Sequence, residues 1–114
     1  MRYLMLLHVD EGGWTRLTPA QQAAGMAAYG AFNQALTDAG AFVATARLTP
    51  SRAGGQVRTK GGQVVMMDGP YAETKEQIGG FYLIEAPDRA AAMAWAARCP
   101  AAGHGVIEVR EVME

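Results

Sequence analysis

The segment MMDGPYAETKEQIGGFYLIE, residues 66–85, decides the fold of this chain. Its first apolar run ends at Asp68-Gly69-Pro70, a turn in which Gly allows positive φ and Pro fixes φ at about −65°. Gly79-Gly80 opens the second apolar run, and these glycines suit a β-bulge or a close backbone approach. The intervening residues 68–78 form a charged loop between two buried strands. Such a loop is a typical functional site, and a solvated connection explains it equally well.

The remaining residues predict alternating strands and helices. Thr18-Pro19 and Gln21 are typical of a helix start with a capping box, and Gly40 marks the helix end. We predict a helix over 19–39 with a buried stripe at spacings of three and four: Ala28, Tyr29, Phe32, Leu36 and Ala39. The other predicted elements are strands 2–9, 41–48, 80–85 and 106–112, a β-hairpin with arms 56–60 and 63–67, and a helix over 89–98 that buries Met93, Trp95 and Ala96.

This order of elements predicts an α+β fold of the ferredoxin-like, split βαβ type with an inserted hairpin. Two helices cover only one face of an antiparallel sheet. Yet the first strand and the run Phe81-Tyr82-Leu83-Ile84 offer apolar side chains to both faces. An uncovered apolar face indicates a partner, so we predict a homodimer with the open faces packed together and a cavity between them.

Size and composition restrict the classes of protein. A chain of 114 residues fits one domain spanning 1–114. A net charge of −1 with scattered Lys and Arg gives no basic patch for nucleic acid or an anionic membrane. The apolar start of the chain is too short for a membrane span or a signal peptide, which predicts a cytoplasmic protein. The single cysteine, Cys99, excludes an intrachain disulfide.

Two residues are candidates for acid–base chemistry. Asp68 is a candidate general acid or base if a cavity desolvates it. The alternative is a turn residue whose carboxylate accepts from the amide of Tyr71 or Ala72. His8 on the first strand would reach the cavity if it points to the open face, and it would titrate near neutrality. The alternative is a histidine with a purely structural role.

Glu73, Lys75 and Glu76 form a charged block that suggests contacts with a substrate. In one interpretation Lys75 holds an anionic substrate while Glu73 or Glu76 moves a proton. In the other, the three residues form a salt-bridged loop that stabilises the fold by well under ~1 kcal/mol per pair.

No motif in the sequence calls for a metal or an organic cofactor. The candidate ligands His8, His104, Asp68 and Glu73 match no metal-ligand spacing. The Gly54-Gly55 pair does not lead from a strand into a helix, so it is no phosphate-binding loop. We therefore predict chemistry without a cofactor.

Residues 68–82 closely resemble the signature of the DGPF group within the YCII-related domain family, with Tyr71 where Phe is usual. Residues 106–114 also resemble the last strand of the family, with Glu111 where Pro is common. The resemblance implies a dimeric α+β barrel. Some related domains are dehydrochlorinases of aromatic catabolism, and others are encoded beside or fused to extracytoplasmic-function sigma factors. Better studied members carry a proposed catalytic His-Asp pair with the His on the first helix, but the first helix of this chain contains no His.

Two functions are consistent with these observations. The first is a cofactor-free enzyme for proton transfer, such as isomerisation or elimination, on a small anionic or aromatic molecule. Asp68 and His8 would be catalytic, and Tyr71, Glu73, Lys75 and Glu76 would bind the substrate. The second is a non-catalytic binding or regulatory module whose partner is a sigma factor. A polar pocket on which Asp68, Glu73 or His8 converge would favour the enzyme.

Overall fold

A computed structural model describes all 114 residues. Its helices are α1, Pro19–Asp38, and α2, Arg89–Arg98. Its strands are β1, Arg2–Asp10; β2, Phe42–Arg47; β3, Gly55–Lys60; β4, Gln63–Asp68; β5, Glu76–Glu85; and β6, Val106–Glu111. Neither helix combines the length and the hydrophobicity that a membrane crossing requires.

The strands form two separate sheets. Strands β2, β5, β1 and β6 lie side by side in that order, and every neighbouring pair is antiparallel. With α1 and α2 as the two crossovers, this is the ferredoxin-like order, so the predicted α+β fold is confirmed. Strands β3 and β4 pair only with each other. Their turn is Gly61-Gly62, where both residues have positive φ, as a two-residue hairpin turn requires.

The core lies between the helices and one face of the four-stranded sheet. Along β1 the buried residues Tyr3, Met5 and Leu7 alternate with half-buried Leu4 and Leu6, because successive strand side chains point to opposite faces. The buried residues of α1 are Phe32 and Leu36. The ring of Phe32 meets the edge of Tyr82 from β5 at a centroid distance of 5.1 Å.

The predicted helix stripes were partly wrong. Ala28 of α1, Ala39 just after the end of α1, and Met93 of α2 are exposed. Both helices are rich in alanine, so their outer and inner faces differ little in hydrophobicity, and the sequence pattern does not fix the rotation of the helix.

The predicted loop over 68–78 was too long. Asp68 still belongs to β4, and β5 begins at Glu76, which pairs with Asp10 of β1. The connecting loop is therefore 69–75. The sequence did not indicate that β5 begins at Glu76, because Glu76 and Gln77 are polar.

The glycine pair was predicted to suit a β-bulge or a close backbone approach, and the structure shows both. Leu7 pairs with Gly80 and His8 pairs with Ile78, so Gly79 is the extra residue. A Cβ atom on Gly80 would lie 2.7 Å from the carbonyl oxygen of Ala46. Only glycine fits this approach of β2 without displacing backbone.

The cap of α1 gives a first prediction. The Thr18 side chain accepts from the Gln21 amide, and the Gln21 side chain accepts in turn from the Thr18 amide. Because Thr18→Ala leaves the Gln21 amide unpaired, we expect it to lower the free energy of unfolding by about 1 kcal/mol. Thr37→Ala in the last turn is the matched control and should change it by less than half as much. Equal effects of the two variants in urea denaturation would contradict the capping role.

The other face of the sheet is uncovered in this chain, as predicted. We call it the open sheet face, and its apolar centre consists of Leu4, Leu6, Phe81 and Leu83, all half-buried. The chain is correspondingly a thin plate with extents of 49 × 42 × 17 Å. Arg2 pairs with Glu85 and Arg110 pairs with Glu108 on this face, which also carries Asp10 and Glu76 at the end of β1.

Candidate functional site

A cleft of about 490 Å³ lies where the end of β1 meets the base of the hairpin and the loop 69–75. His8 and Ile78, paired across β1 and β5, contribute side chains from the sheet. Ser51 and Thr74 add hydroxyl groups, and the ring of Tyr71 lies at the mouth with 90% of its surface exposed. The cleft thus combines an imidazole and a phenol ring with apolar and hydroxyl surface, a composition suited to a small organic molecule.

His8 provides the imidazole of the cleft, and its hydrogen-bonding partner is Glu108. The Nε2 atom of His8 lies 3.1 Å from the Oε1 atom of Glu108. Because β6 pairs with β1, Glu108 lies on the neighbouring strand, diagonally across from His8. A hydrogen bond to a carboxylate puts the imidazole proton on Nε2, so Nδ1 of the neutral ring is an acceptor. The His8 side chain is 30% exposed, which leaves the ring accessible from the cleft.

Glu108 is held as a carboxylate by two donors. The hydrogen bond with His8 is the larger cause of a pKa below its ordinary value, and the hydrogen bond from Arg110, at 3.3 Å, is the second. A carboxylate fixed beside an imidazole orients the ring and stabilises the imidazolium form. The arrangement His8–Glu108 therefore has the components of an acid–base pair.

The pKa of Glu108 gives a pH prediction. Because the pKa is lower in the folded state than its ordinary value of 4.5, the carboxylate stabilises the fold above that value. This contribution is lost as the pH falls through the lowered pKa. We expect Glu108→Gln to show a smaller loss of stability than the wild type between neutral and acidic pH, measured by urea unfolding. Glu114→Gln at the chain end is the control, and identical pH profiles for Glu108→Gln and the wild type would refute the prediction.

One wall of the cleft is fixed by Glu11. Its carboxylate accepts hydrogen bonds from the amide and the hydroxyl of Ser51, at 2.6 and 2.8 Å. This contact ties the end of β1 to the segment that precedes the hairpin. Because Ser51 lines the cleft, the contact sets the width of the opening.

The opposite wall is fixed by Gln77. Its side-chain amide donates to the carbonyl oxygens of Ala72 and Thr74, at 2.7 and 3.1 Å. Gln56 of β3 also donates to the carbonyl oxygen of Pro70. The loop 69–75, and with it Tyr71, is thus bound to both sheets.

The structure brings only two of the predicted site residues into the cleft, His8 and Tyr71. Asp68, Glu73 and Lys75 are exposed outside it, and Glu76 lies in the β5 ladder opposite Asp10. No hydrogen bond links the Asp68 carboxylate to the amide of Tyr71 or Ala72. The catalytic role of Asp68 and the substrate-binding roles of Tyr71, Glu73, Lys75 and Glu76 stay predictions. No three His, Cys, Asp or Glu side chains are grouped so that they could hold a metal ion.

Sequence reasoning missed Glu108, Glu11 and Gln77. The signal for Glu108 was present, because alternation along the last strand places Glu108 on the same face as Val106 and Arg110. Pairing it with His8 requires the strand order and the register, and neither can be read from one sequence. No sequence signal distinguishes Glu11 or Gln77 from other polar residues.

Comparisons with known proteins address the family and the fold. A family model described as YCII-related domain matches residues 1–114. An uncharacterised protein of Rhizobium meliloti (strain 1021) is 36% identical over 85 residues, which are 75% of this chain and 68% of that protein. The solved structure of 5-chloro-2-hydroxyhydroquinone dehydrochlorinase from Burkholderia phenoliruptrix AC1100, in complex with 2,5-dihydroxybenzoquinone, matches with a TM-score of 0.57. The match covers 100% of this chain and 95% of that chain at 14% identity, so it shows a common fold.

Proposed function

The chain belongs to the YCII-related domain family, and from this we propose that it is a cofactor-free enzyme for proton transfer on a small anionic or aromatic molecule. The observation that carries the proposal is the His8–Glu108 pair, whose imidazole lines the cleft. The dehydrochlorinase of the same fold, solved with a quinone, adds support for small-molecule chemistry in such a scaffold.

His8 is the proton acceptor in this proposal. Its Nε2 proton is shared with Glu108, so Nδ1 is the atom that takes a proton from the carbon or hydroxyl of the substrate. The resulting imidazolium is stabilised by the Glu108 carboxylate. The imidazolium then returns the proton to a second position for isomerisation, or to the solvent when a leaving group departs.

The cleft also suggests how the substrate is held. The exposed ring of Tyr71 offers a stacking surface to a planar molecule at the mouth of the cleft. Lys75 and the carboxylates of Asp68, Glu73 and Glu76 keep their predicted roles, which require the loop or a second copy of the chain to bring them nearer.

We further propose that the active form is a homodimer joined through the open sheet faces. A half-buried apolar centre flanked by the ion pairs of Arg2 with Glu85 and of Arg110 with Glu108 can pack against an identical copy. The cleft then opens toward the interface, where a second copy excludes water from His8.

Proton exchange with the solvent tests the enzymatic proposal directly. The protein is incubated in D₂O with a panel of hydroxylated benzoates, hydroxyquinones and enolisable keto acids. Loss of carbon-bound proton signals is then followed by NMR. We expect catalysed exchange for at least one compound class together with a rise in melting temperature. A protein that catalyses no exchange and gains no thermal stability from any compound would contradict the proposal.

The second candidate function is a non-catalytic binding or regulatory module, with an extracytoplasmic-function sigma factor as partner. The exposure of Asp68, Glu73 and Lys75 favours it, because these groups do not converge on the cleft. A co-purification experiment with a sigma factor encoded beside this chain tests it. The cytoplasmic location stays a prediction from the sequence, as does the expectation of no nucleic-acid partner.

A further inference from the structure

The lining of the cleft carries little charge. No residue that lines it is Asp, Glu, Lys or Arg, and its titratable groups are the imidazole of His8 and the phenol of Tyr71. The other lining residues are apolar, carry a hydroxyl or a side-chain amide, or are glycines. A molecule bound in the cleft therefore meets no lysine or arginine in the lining that would neutralise an anionic group.

The fixed charges closest to this lining are negative. The Oε1 atom of Glu108 lies 3.1 Å from Nε2 of His8. This hydrogen bond is the main cause that lowers the pKa of Glu108, so the carboxyl group is ionised at neutral pH. At one wall the carboxylate of Glu11 accepts hydrogen bonds from Ser51, at 2.6 and 2.8 Å. Two acidic side chains thus stand directly behind residues of the lining.

The arginines near the cleft do not offset these charges within it. Arg110 donates to the second carboxylate oxygen of Glu108 at 3.3 Å, and its side chain is 70% exposed. Arg52 follows Ser51 in the chain, but its side chain is exposed and lies outside the lining. A carboxylate inside the cleft would therefore lack a guanidinium partner.

Lys75, which the sequence suggested as the partner of an anion, also lies outside the lining and is exposed. Its ammonium group lies near Asp10. The pKa of that carboxyl group is lowered mainly by the hydrogen bond from Arg16, and the charge of Lys75 adds to the lowering. A lysine beside a surface carboxylate is less available to an anion in the cleft.

The uncharged groups of the cleft suit a hydroxylated ring. Because the Nε2 proton of His8 is directed to Glu108, Nδ1 is an acceptor and requires a donor on the ligand. Ile78, which shares a face of the sheet with His8, and the ring of Tyr71 offer apolar surface to a planar molecule. A hydroxyl group on an aromatic ring satisfies both requirements without bringing a charge into the cleft.

We infer that the cleft selects an uncharged hydroxylated aromatic molecule and binds the carboxylate of the same shape more weakly. A hydroxyl group of the ligand donates to Nδ1 of His8, and the ring packs on Ile78 and Tyr71. The inference rests on the proposed function, because it takes the cleft as the substrate site. It narrows the substrate class from anionic or aromatic molecules to neutral aromatic ones.

Pairs of ligands that differ in charge test this inference on the unmodified protein. Gentisamide and gentisate, or protocatechuamide and protocatechuate, have nearly the same shape, and only the second of each pair is a carboxylate. The chain has two histidines. In an NMR titration the ring signal of His8 reports on the cleft, and that of the exposed His104 is the internal control. We expect each amide to shift the His8 signal and to bind about 10-fold more tightly than its carboxylate, because a like charge several ångströms away weakens binding by at least this factor at an effective dielectric constant of about 20.

The outcomes of the titration separate this inference from the proposed function. A carboxylate that binds as tightly as its amide, or more tightly, would overturn the inference and leave the proposed function standing. If no compound shifts the His8 signal, or if only His104 responds, the inference fails together with the proposal of a small aromatic substrate. Amides that bind preferentially while no compound undergoes catalysed proton exchange would support the inference and count against the enzyme.

A cation placed in the lining should offset the preference. Thr49 lines the cleft and is exposed, so Thr49→Lys adds an ammonium group there without burying it. We expect this variant to raise the affinity for each carboxylate relative to its amide about 10-fold. Thr49→Gln, with a long but uncharged side chain, is the matched control and should change the ratio less than about 3-fold. Equal ratios in the two variants would overturn the inference, because the charge of the lining would then not govern selection.

Discussion

His8→Gln is expected to lower the rate of catalysed proton exchange by about 10²–10⁴-fold, the usual contribution of a positioned general base. The glutamine amide can still donate to Glu108, so the strand pairing stays satisfied. It has no nitrogen that accepts a proton near neutral pH. The loss should therefore appear in the rate of exchange, with the melting temperature of the free protein nearly unchanged.

Two further variants isolate the role of His8. Glu108→Gln keeps a hydrogen-bonding partner but removes the charge that stabilises the imidazolium, so we expect a smaller loss of rate and a shift of the pH–rate profile. Asp68→Asn tests the Asp68 carboxylate, which the sequence motif makes a candidate general acid or base. If His8→Gln retains full activity while Asp68→Asn abolishes it, the assignment to His8 is wrong and Asp68 must reach the substrate in the assembled protein.

Leu83→Lys is expected to convert the protein from dimer to monomer at micromolar concentration. Leu83 lies at the apolar centre of the open sheet face, opposite Leu4. The twofold axis would place two unpaired lysines in one interface, which costs several kcal/mol and corresponds to about a 10³-fold weaker association. In the monomer the lysine side chain extends to water, so the fold itself should persist.

Sedimentation velocity with a matched surface variant checks this prediction. Met93→Lys adds the same charge on the exposed side of α2 and should leave the dimer intact. A wild-type protein that is already monomeric at micromolar concentration would refute the dimer. A Leu83→Lys variant that remains dimeric would refute the sheet-to-sheet arrangement.

The elements with local signals were predictable from the sequence. The cap at Thr18 and the turn at Gly61-Gly62 involve contacts within a few residues, and the residue types there favour them directly. The bulge at Gly79 forms against β1, but the glycine pair marks the place where the strand can accommodate it. These signals, with the order of the elements, are sufficient to give the ferredoxin-like fold.

The site was harder to predict than the fold, because its contacts depend on which strands pair and in which register. His8 was recognised as a candidate, but its partner Glu108 is 100 positions away in the chain. Their contact exists because β6 pairs with β1 rather than with β2, and because His8 lies opposite Val106 in that pairing. The charged residues of the motif led to a different prediction of the site. Polarity alone does not distinguish Glu73, which is exposed, from Glu11, which fixes a wall of the cleft.

Because β5 contains one extra residue at Gly79, odd- and even-numbered residues exchange faces of the sheet at that point. On the N-terminal side of Gly79 the even-numbered Ile78 shares a face with His8, and on the C-terminal side the odd-numbered Phe81 shares that face with Leu6. Deleting Gly79 would remove the bulge and leave Ile78 opposite His8, because Ile78 would then directly precede Gly80 in the chain. The loss of one residue at the bulge therefore keeps the faces of both halves of β5, whereas the loss of one residue from a strand without a bulge would exchange them.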